Sequence, residues 1–234
     1  AEFGASQMRL DSERGFLYVT AKLNNYLYVI DIRDDSAGDF VDRNYLDIEA
    51  LIAIESNVGS RGFRDVTVVP GTNRMYAAGQ RPDAVVAFDI TDLEDNDVKE
   101  VYRDFSIGTL PLQPTIGTGA DQGAETGLVF NERFGGGSMA LTQGELLLVT
   151  QFLDNSVSVF DLNGAGIGAE VAYLPHVGEN PFAIAVSPDH RFAVVGNYVG
   201  KALDNGSMSS TLTVIDIDKQ SETYLQPLTW ITNR

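Results

Sequence analysis

A sixteen-residue phrase occurs three times without a gap, as FLYVTAKLNNYLYVID (16–31), RMYAAGQRPDAVVAFD (74–89) and LLLVTQFLDNSVSVFD (146–161). Internal recurrence of this kind restricts a chain to stacked or ring-like architectures, because one unit alone cannot bury its apolar surface. In each phrase a run rich in Val, Leu, Tyr and Phe meets a polar break: Leu23-Asn24-Asn25, Arg81-Pro82-Asp83 or Leu153-Asp154-Asn155. A second run follows and stops at Asp31, Asp89 or Asp161. Two short apolar runs around turn residues predict a β-hairpin. A fourth copy is interrupted, with FAVVGNY (192–198) and TLTVID (211–216) spanning 25 residues where the others span 16. The extra nine residues fall in the hinge.

Each phrase has a candidate strand on either side. QMRLDSERG, FRDVTVVPGTN, SMALTQGE and PFAIAVSPDHR precede the four copies, and LDIEALIAIES (46–56), KEVYRDFSI (99–107), AEVAYLPHV (169–177) and TYLQPLTWI (223–231) follow them. The expectation is an all-β chain of four units, each a four-stranded antiparallel sheet, with no convincing helix. Repeated four-stranded units of this kind predict the blades of a β-propeller. The expected blades cover about 7–57, 62–107 (followed by a long loop, 108–137), 138–178 and 181–234, within a single propeller domain or propeller fragment over 1–234.

Composition narrows the partners. Thirty-three acidic residues against sixteen basic ones give a net charge of −17. A nucleic-acid partner is excluded on this ground, since phosphate neutralisation by Lys and Arg supplies most of that affinity. No apolar run reaches the length of a membrane-spanning helix, so membrane insertion is not expected. With no cysteine and two histidines, disulfide and thiolate chemistry are ruled out and imidazole chemistry is restricted. Acidity, four lysines and the lack of cysteine suit an extracytoplasmic bacterial location.

The phrases LYVT (17–20), LLVT (147–150), NSVSVFD (155–161) and VGENPFAIAVSPDHRFAVV (177–195) resemble the YVTN-type propeller repeat. In that family a blade reads roughly G-x-x-P-x-x-I-A-x-S-P-D-G, then L-Y-V-x-N, then N-T-V-S-V-I-D. The resemblance spans nearly the whole chain and is nearest to the family pattern over 146–195. It implies a propeller fold, and relatives that include sugar-lactone hydrolases and surface-layer domains. Such propellers usually have seven or eight blades, whereas four are recognisable here. Three arrangements stay open: a piece of a larger ring, a closed four-bladed ring, or a ring completed by self-association. Residues 108–137 are too short and too glycine-rich for another full blade.

Up-and-down strand order sorts the loops. With strands a to d in each blade, the a–b and c–d turns lie at one end, and the b–c and d–a loops at the other, where d–a loops surround the channel. The nine-residue insertion and the stretch 108–137 both belong to the second end. A connection of that length is uncommon in a compact domain unless it has a function or is disordered. The first end carries much of the acid, including Asp34, Asp35, Asp39 and Asp42, then Asp92, Glu94, Asp95 and Asp97. DLEDND lacks the glycine and glutamate that a calcium loop requires at its sixth and twelfth positions, so no metal and no cofactor is expected.

No catalytic motif emerges. The Asp at 31, 89, 161 and 216 recurs once per unit, which marks a turn cap. GTGADQG (117–123) lacks the strand–turn–helix setting that lets a glycine-rich loop hold phosphate. His190 replaces the usual glycine of an a–b turn and is expected to be structural. The candidate ligand-binding residues all belong to the channel-mouth loops: Arg61, Arg64 and Asp65; Glu125 and Arg133; His176, Glu179 and Asn180. Arginines facing one mouth suit an anionic ligand held bidentately, and a histidine beside a carboxylate suits acid–base work. Arg64 and Asp65 have an alternative role, pairing with each other or with a neighbouring blade. The leading expectation is a non-enzymatic binding module for protein or glycan. The alternatives are a lactonase-like hydrolase of a small ester or lactone, and a structural piece of a larger propeller.

Overall fold

The repeats fold as four separate sheets in the computed structural model, which describes residues 4–21, 26–32, 51–55, 63–80, 83–93, 106–111, 136–143, 146–152, 154–163, 166–202 and 208–232. Blade 1 contains β1 (Ala5–Asp11), β2 (Phe16–Ala21), β3 (Tyr26–Asp31) and β4 (Leu51–Glu55). Blade 2 contains β5 (Asp65–Val68), β6 (Arg74–Gln80), β7 (Asp83–Asp89) and β8 (Ser106–Pro111). In blade 3 they are β9 (Gly136–Thr142), β10 (Leu146–Gln151), β11 (Ser156–Asp161) and β12 (Ala169–Leu174). Blade 4 holds β13 (Glu179–Val186), β14 (Phe192–Ala202), β15 (Met208–Asp216) and β16 (Pro227–Thr232). Within every sheet the strands lie in chain order and pair antiparallel. This is β-propeller architecture.

Alternation along the strands gives each blade two apolar faces. One face of blade 1 (Phe16, Tyr18, Leu27, Val29) packs on Val66, Met75, Ala77, Val86 and Phe88 of blade 2. The opposite face of blade 2 (Tyr76, Ala78, Val85, Ala87) packs on Met139, Leu147, Val149 and Phe160 of blade 3. The third layer joins Leu146, Leu148, Val157 and Val159 to Ile184, Ala193, Val195 and Ile215 of blade 4. Burial on both faces explains why these runs are continuously apolar and not alternating. The first strands line up from blade to blade, β1 against β5, β5 against β9 and β9 against β13. Among the described residues β13 makes no comparable return contact with β1. The four blades follow one another in chain order.

Two expected elements sit elsewhere. The fourth strand of blade 2 is Ser106–Pro111, overlapping 99–107 only at its start. Its edge position tolerates Pro111, which has no N–H to donate. The nine-residue insertion of blade 4 lengthens a hairpin: the β14–β15 ladder resumes past an irregularity, with Lys201 opposite Ser209 and Ala202 opposite Met208.

Three of the recurring Asp residues, at 89, 161 and 216, cap turns, as their spacing predicts. Asp89 Oδ1 accepts from the Thr91 N–H, Asp161 Oδ1 from Asn163 and Asp216 Oδ1 from Asp218. Hydrogen bonds from Thr91 hold the Asp89 carboxyl below the usual range, as those from Ser187 do for Asp189 and those from Ser221 and Thr223 for Asp216. A carboxyl depressed in the folded state stabilises fully above its unfolded pKa, about 4, and that contribution disappears as pH falls through the folded value. Thermal melts are expected to drop steeply below about pH 4. A triple variant with Asn at 89, 189 and 216 should show a shallower acid limb; an unchanged limb would refute the assignment.

His190 stands on the a–b turn of blade 4, where its N–H bonds to the Ser187 carbonyl at 2.8 Å. Its φ is +55°, a region that a β-carbon disfavours. His190→Gly is expected to leave stability unchanged or raise it by up to about 1 kcal/mol. A clear loss in urea unfolding would show that the imidazole itself matters.

Candidate functional site

Two segments meet at one end of blades 3 and 4, the expected channel mouth: the described residues of the β10–β11 hinge (Phe152, Asp154 and Asn155) and the β12–β13 loop (Pro175–Gly178). Asn155 binds them together. Its carbonyl accepts the Val177 N–H at 3.0 Å, and its side-chain oxygen accepts the Asn180 N–H at 2.8 Å. Asn180 returns a bond from Nδ2 to the Phe152 carbonyl at 3.0 Å. Asn155, His176 and Asn180 all have φ between +54° and +59°. Asn enters that region more readily than most residues, and such clusters persist where the surroundings over-determine them. The mouth is pre-organised.

Behind the loop, Asn197 is buried and donates from Nδ2 to the hydroxyls of Thr211 (3.0 Å) and Thr213 (3.2 Å) and to the Val177 carbonyl at 3.5 Å. Thr213 also donates to the Val177 carbonyl. Gly178, at φ +139°, lies flat against this amide. The asparagine that ends the L-Y-V-x-N stretch thus holds the preceding β12–β13 loop in place.

Three aromatic rings gather at the same end. Phe152 lies edge-on to Phe182 with centroids 6.2 Å apart, and Tyr198 lies 6.0 Å from Phe152 and 6.2 Å from Phe182. Phe182 is 45% exposed and Tyr198 72%, so two of the rings present surface to solvent. Glu179 and Asn180 open the strand that carries Phe182, and exposed His176 sits in the loop before it. His176, Glu179 and Asn180 thus shortly precede Phe182 in the chain, and apolar surface with a few placed polar groups is the mixture that small-ligand sites use.

The remaining expected site residues lie elsewhere. Asp65 and Arg64 are buried. The Asp65 carboxylate accepts from the Met139 N–H (2.8 Å), the Ser138 hydroxyl (3.0 Å) and its neighbour Val66 N–H (2.8 Å). Arg9 of blade 1 approaches it at 3.9 Å. Asp65 thus ties three blades together, matching the neighbouring-blade alternative. The Arg64 carbonyl accepts from Thr20 of blade 1. Arg61, Glu125 and Arg133 lie outside the described residues. The aromatic cluster was not anticipated. Phe152 and Tyr198 occupy the same position of the repeat, where the first two copies have Lys22 and Gln80. An aromatic that the fold does not demand at a fixed repeat position is the signal that marks it.

No protein-family model and no curated protein matches the chain. Solved structures do. The chain is similar to a periplasmic gluconolactonase of Pseudomonas aeruginosa (18% identity, TM-score 0.63), covering 97% of this chain and 53% of that one. It is also similar to the Kuenenia stuttgartiensis hydrazine synthase (13% identity, TM-score 0.61; 99% and 50%). A third similar structure is a candidate 6-phosphogluconolactonase from Bacteroides uniformis (14% identity, TM-score 0.56; 98% and 57%). These likenesses establish the propeller fold, and the chain spans about half the length of each of these structures.

Proposed function

We propose that this protein is a binding module that holds a small polyhydroxylated ligand, of the sugar or sugar-lactone class, at the mouth between blades 3 and 4. The observation that carries this reading is the solvent-facing pair Phe182 and Tyr198 beside a rim fixed by Asn155 and Asn180. The C–H face of a sugar ring packs on an aromatic wall, while its hydroxyls need a few placed donors and acceptors, which Glu179, Asn180 and His176 supply. A pre-organised rim reduces the ordering cost of binding.

Lactone hydrolysis at the same mouth is the second reading, favoured by the two similar structures described as lactonases. His176 would then take or deliver the proton, with Glu179 as its charged neighbour. An extracytoplasmic location belongs to this proposal, since one similar protein is described as periplasmic.

Calorimetric titration with gluconolactone, gluconate and monosaccharides tests both readings. Wild-type protein should bind at least one of them, and Tyr198→Ala should weaken that affinity tenfold or more, about 1.4 kcal/mol. If wild type binds none, the ligand class is wrong. Turnover of the lactone that Glu179→Gln abolishes while binding survives would establish the hydrolase.

A further inference from the structure

Two of the three rings beside the β12–β13 loop are placed by breaks in strand pairing. Pro181 stands opposite Asn197 and Ala183 opposite Gly196, so Phe182 is an extra residue with no counterpart in β14. The β14–β15 ladder stops at Asn197 opposite Thr211 and resumes at Lys201 opposite Ser209, which leaves Tyr198 in the break. Irregularities of this kind re-aim a side chain. Strict alternation along β14 would turn Tyr198 away from the face that holds buried Asn197, since successive side chains point to opposite faces. Its ring lies instead 6.0 Å from Phe152 of blade 3. The Phe152 backbone is fixed in turn, its carbonyl accepting from Asn180 Nδ2. The three rings form a triangle with sides of 6.0–6.2 Å, drawn from two blades.

Their electrostatic setting is one-sided. An aromatic face carries negative quadrupole charge and attracts a cation held within about 6 Å of its centroid. The chain uses this contact elsewhere, with the Arg191 guanidinium carbon 5.6 Å from the Phe192 centroid. No described basic side chain lies over Phe182 or Tyr198. Glu179 is exposed and opens β13 opposite Val199, the neighbour of Tyr198 in the facing strand. Among the described residues its carboxylate has no ion-pair partner. Arg14, Arg74 and Arg191 all stand at turns joining first and second strands, at the other end of their blades.

We infer, resting on the sugar-binding reading above and narrowing it, that the ligand of this mouth is cationic: an amino sugar whose protonated amine sits over Phe182 and Tyr198 with Glu179 as its counter-charge. Aromatic surface by itself accepts the C–H face of any sugar. The unpaired carboxylate selects among them. A neutral sugar gains the ring contact alone, whereas a protonated amine adds attraction to the ring faces and to Glu179. A sugar acid brings a like charge towards Glu179 and towards a chain whose net charge is −17. Glu179 is thus the residue that sets specificity, and Phe182 and Tyr198 supply the contact common to all sugars.

Calorimetric titration near neutral pH with glucosamine, N-acetylglucosamine, glucose, gluconolactone and gluconate tests this. Glucosamine should bind roughly tenfold tighter than the three neutral compounds, and gluconate should bind weakest. N-acetylglucosamine is the decisive comparison, because it keeps the ring and the nitrogen and lacks the charge. Added salt should narrow the preference, since exposed charges are screened beyond about 8–10 Å. Glu179→Gln should cut glucosamine affinity about fivefold and leave glucose unchanged, whereas Tyr198→Ala should weaken both. Glu179 is exposed, so its variant is expected to keep the wild-type melting temperature. A neutral sugar or gluconate bound as tightly as glucosamine, or a preference that Glu179→Gln leaves intact, would overturn the inference while the sugar reading stands. Binding of none of the five would overturn both.

Discussion

Asp65→Ala is expected to destabilise the protein by about 3 kcal/mol, since two buried N–H donors and a partly buried hydroxyl lose their acceptor at once and a half-exposed arginine loses its counter-charge. The donors are the Met139 and Val66 N–H groups and the Ser138 hydroxyl, with Arg9 approaching from blade 1. Two of these groups belong to blade 3, so the substitution loosens the seam between blades 2 and 3 as well as the strand that carries it. For a domain of this size the melting temperature should fall by roughly 6–12 °C. Asp65→Asn keeps an acceptor for part of the set and should lose less. A loss under about 1 kcal/mol in urea unfolding of the alanine variant would mean that water replaces the carboxylate readily and that the tie is unimportant.

Gly178→Ala should cost a similar amount for a different reason. A β-carbon there would run into the Asn197 side-chain amide, at Nδ2 and Cγ, and φ is +139°. The obstructing side chain is short, buried and bonded to Thr211 and Thr213, so it moves only by breaking those bonds. Backbone strain of about 1–3 kcal/mol adds to an overpacking cost of similar size. Because the loop that moves carries His176 and leads into Glu179, ligand affinity should weaken in the same variant. A crystal structure with an unmoved Asn197, or an unchanged melting temperature, would contradict this account.

The fold could be read from the chain because the repeat carries two independent signals. Paired apolar runs specify hairpins, and their near-continuous hydrophobicity specifies burial on both faces, as Leu146–Val149 shows with every residue enclosed. The d-strand of blade 2 was misplaced because Val101 and Tyr102 look more strand-like than Gly108 and Pro111, yet an edge strand is held by its partner β7 and not by propensity. At the mouth, loop position alone singled out His176, Glu179 and Asn180. Asp65 could not be separated from them, since a carboxylate at a strand start reads identically whether it meets a ligand or the backbone of the next blade. The aromatic cluster was hidden for the opposite reason: Phe182 opens one apolar run, Tyr198 lies at the end of another, and both look like core until the strands are placed.

The chain-order sheets have one more consequence, for how the molecule comes into being. Every ladder in a blade joins strands that are neighbours in sequence, so a blade can assemble from one continuous stretch of chain without waiting for distant residues. A polypeptide emerging from the ribosome would thus complete its sheets one after another, each new blade finding the finished one before it as a template. Structure built in this manner is additive in its local parts and cooperative only across the seams. The order of synthesis and the order of assembly coincide.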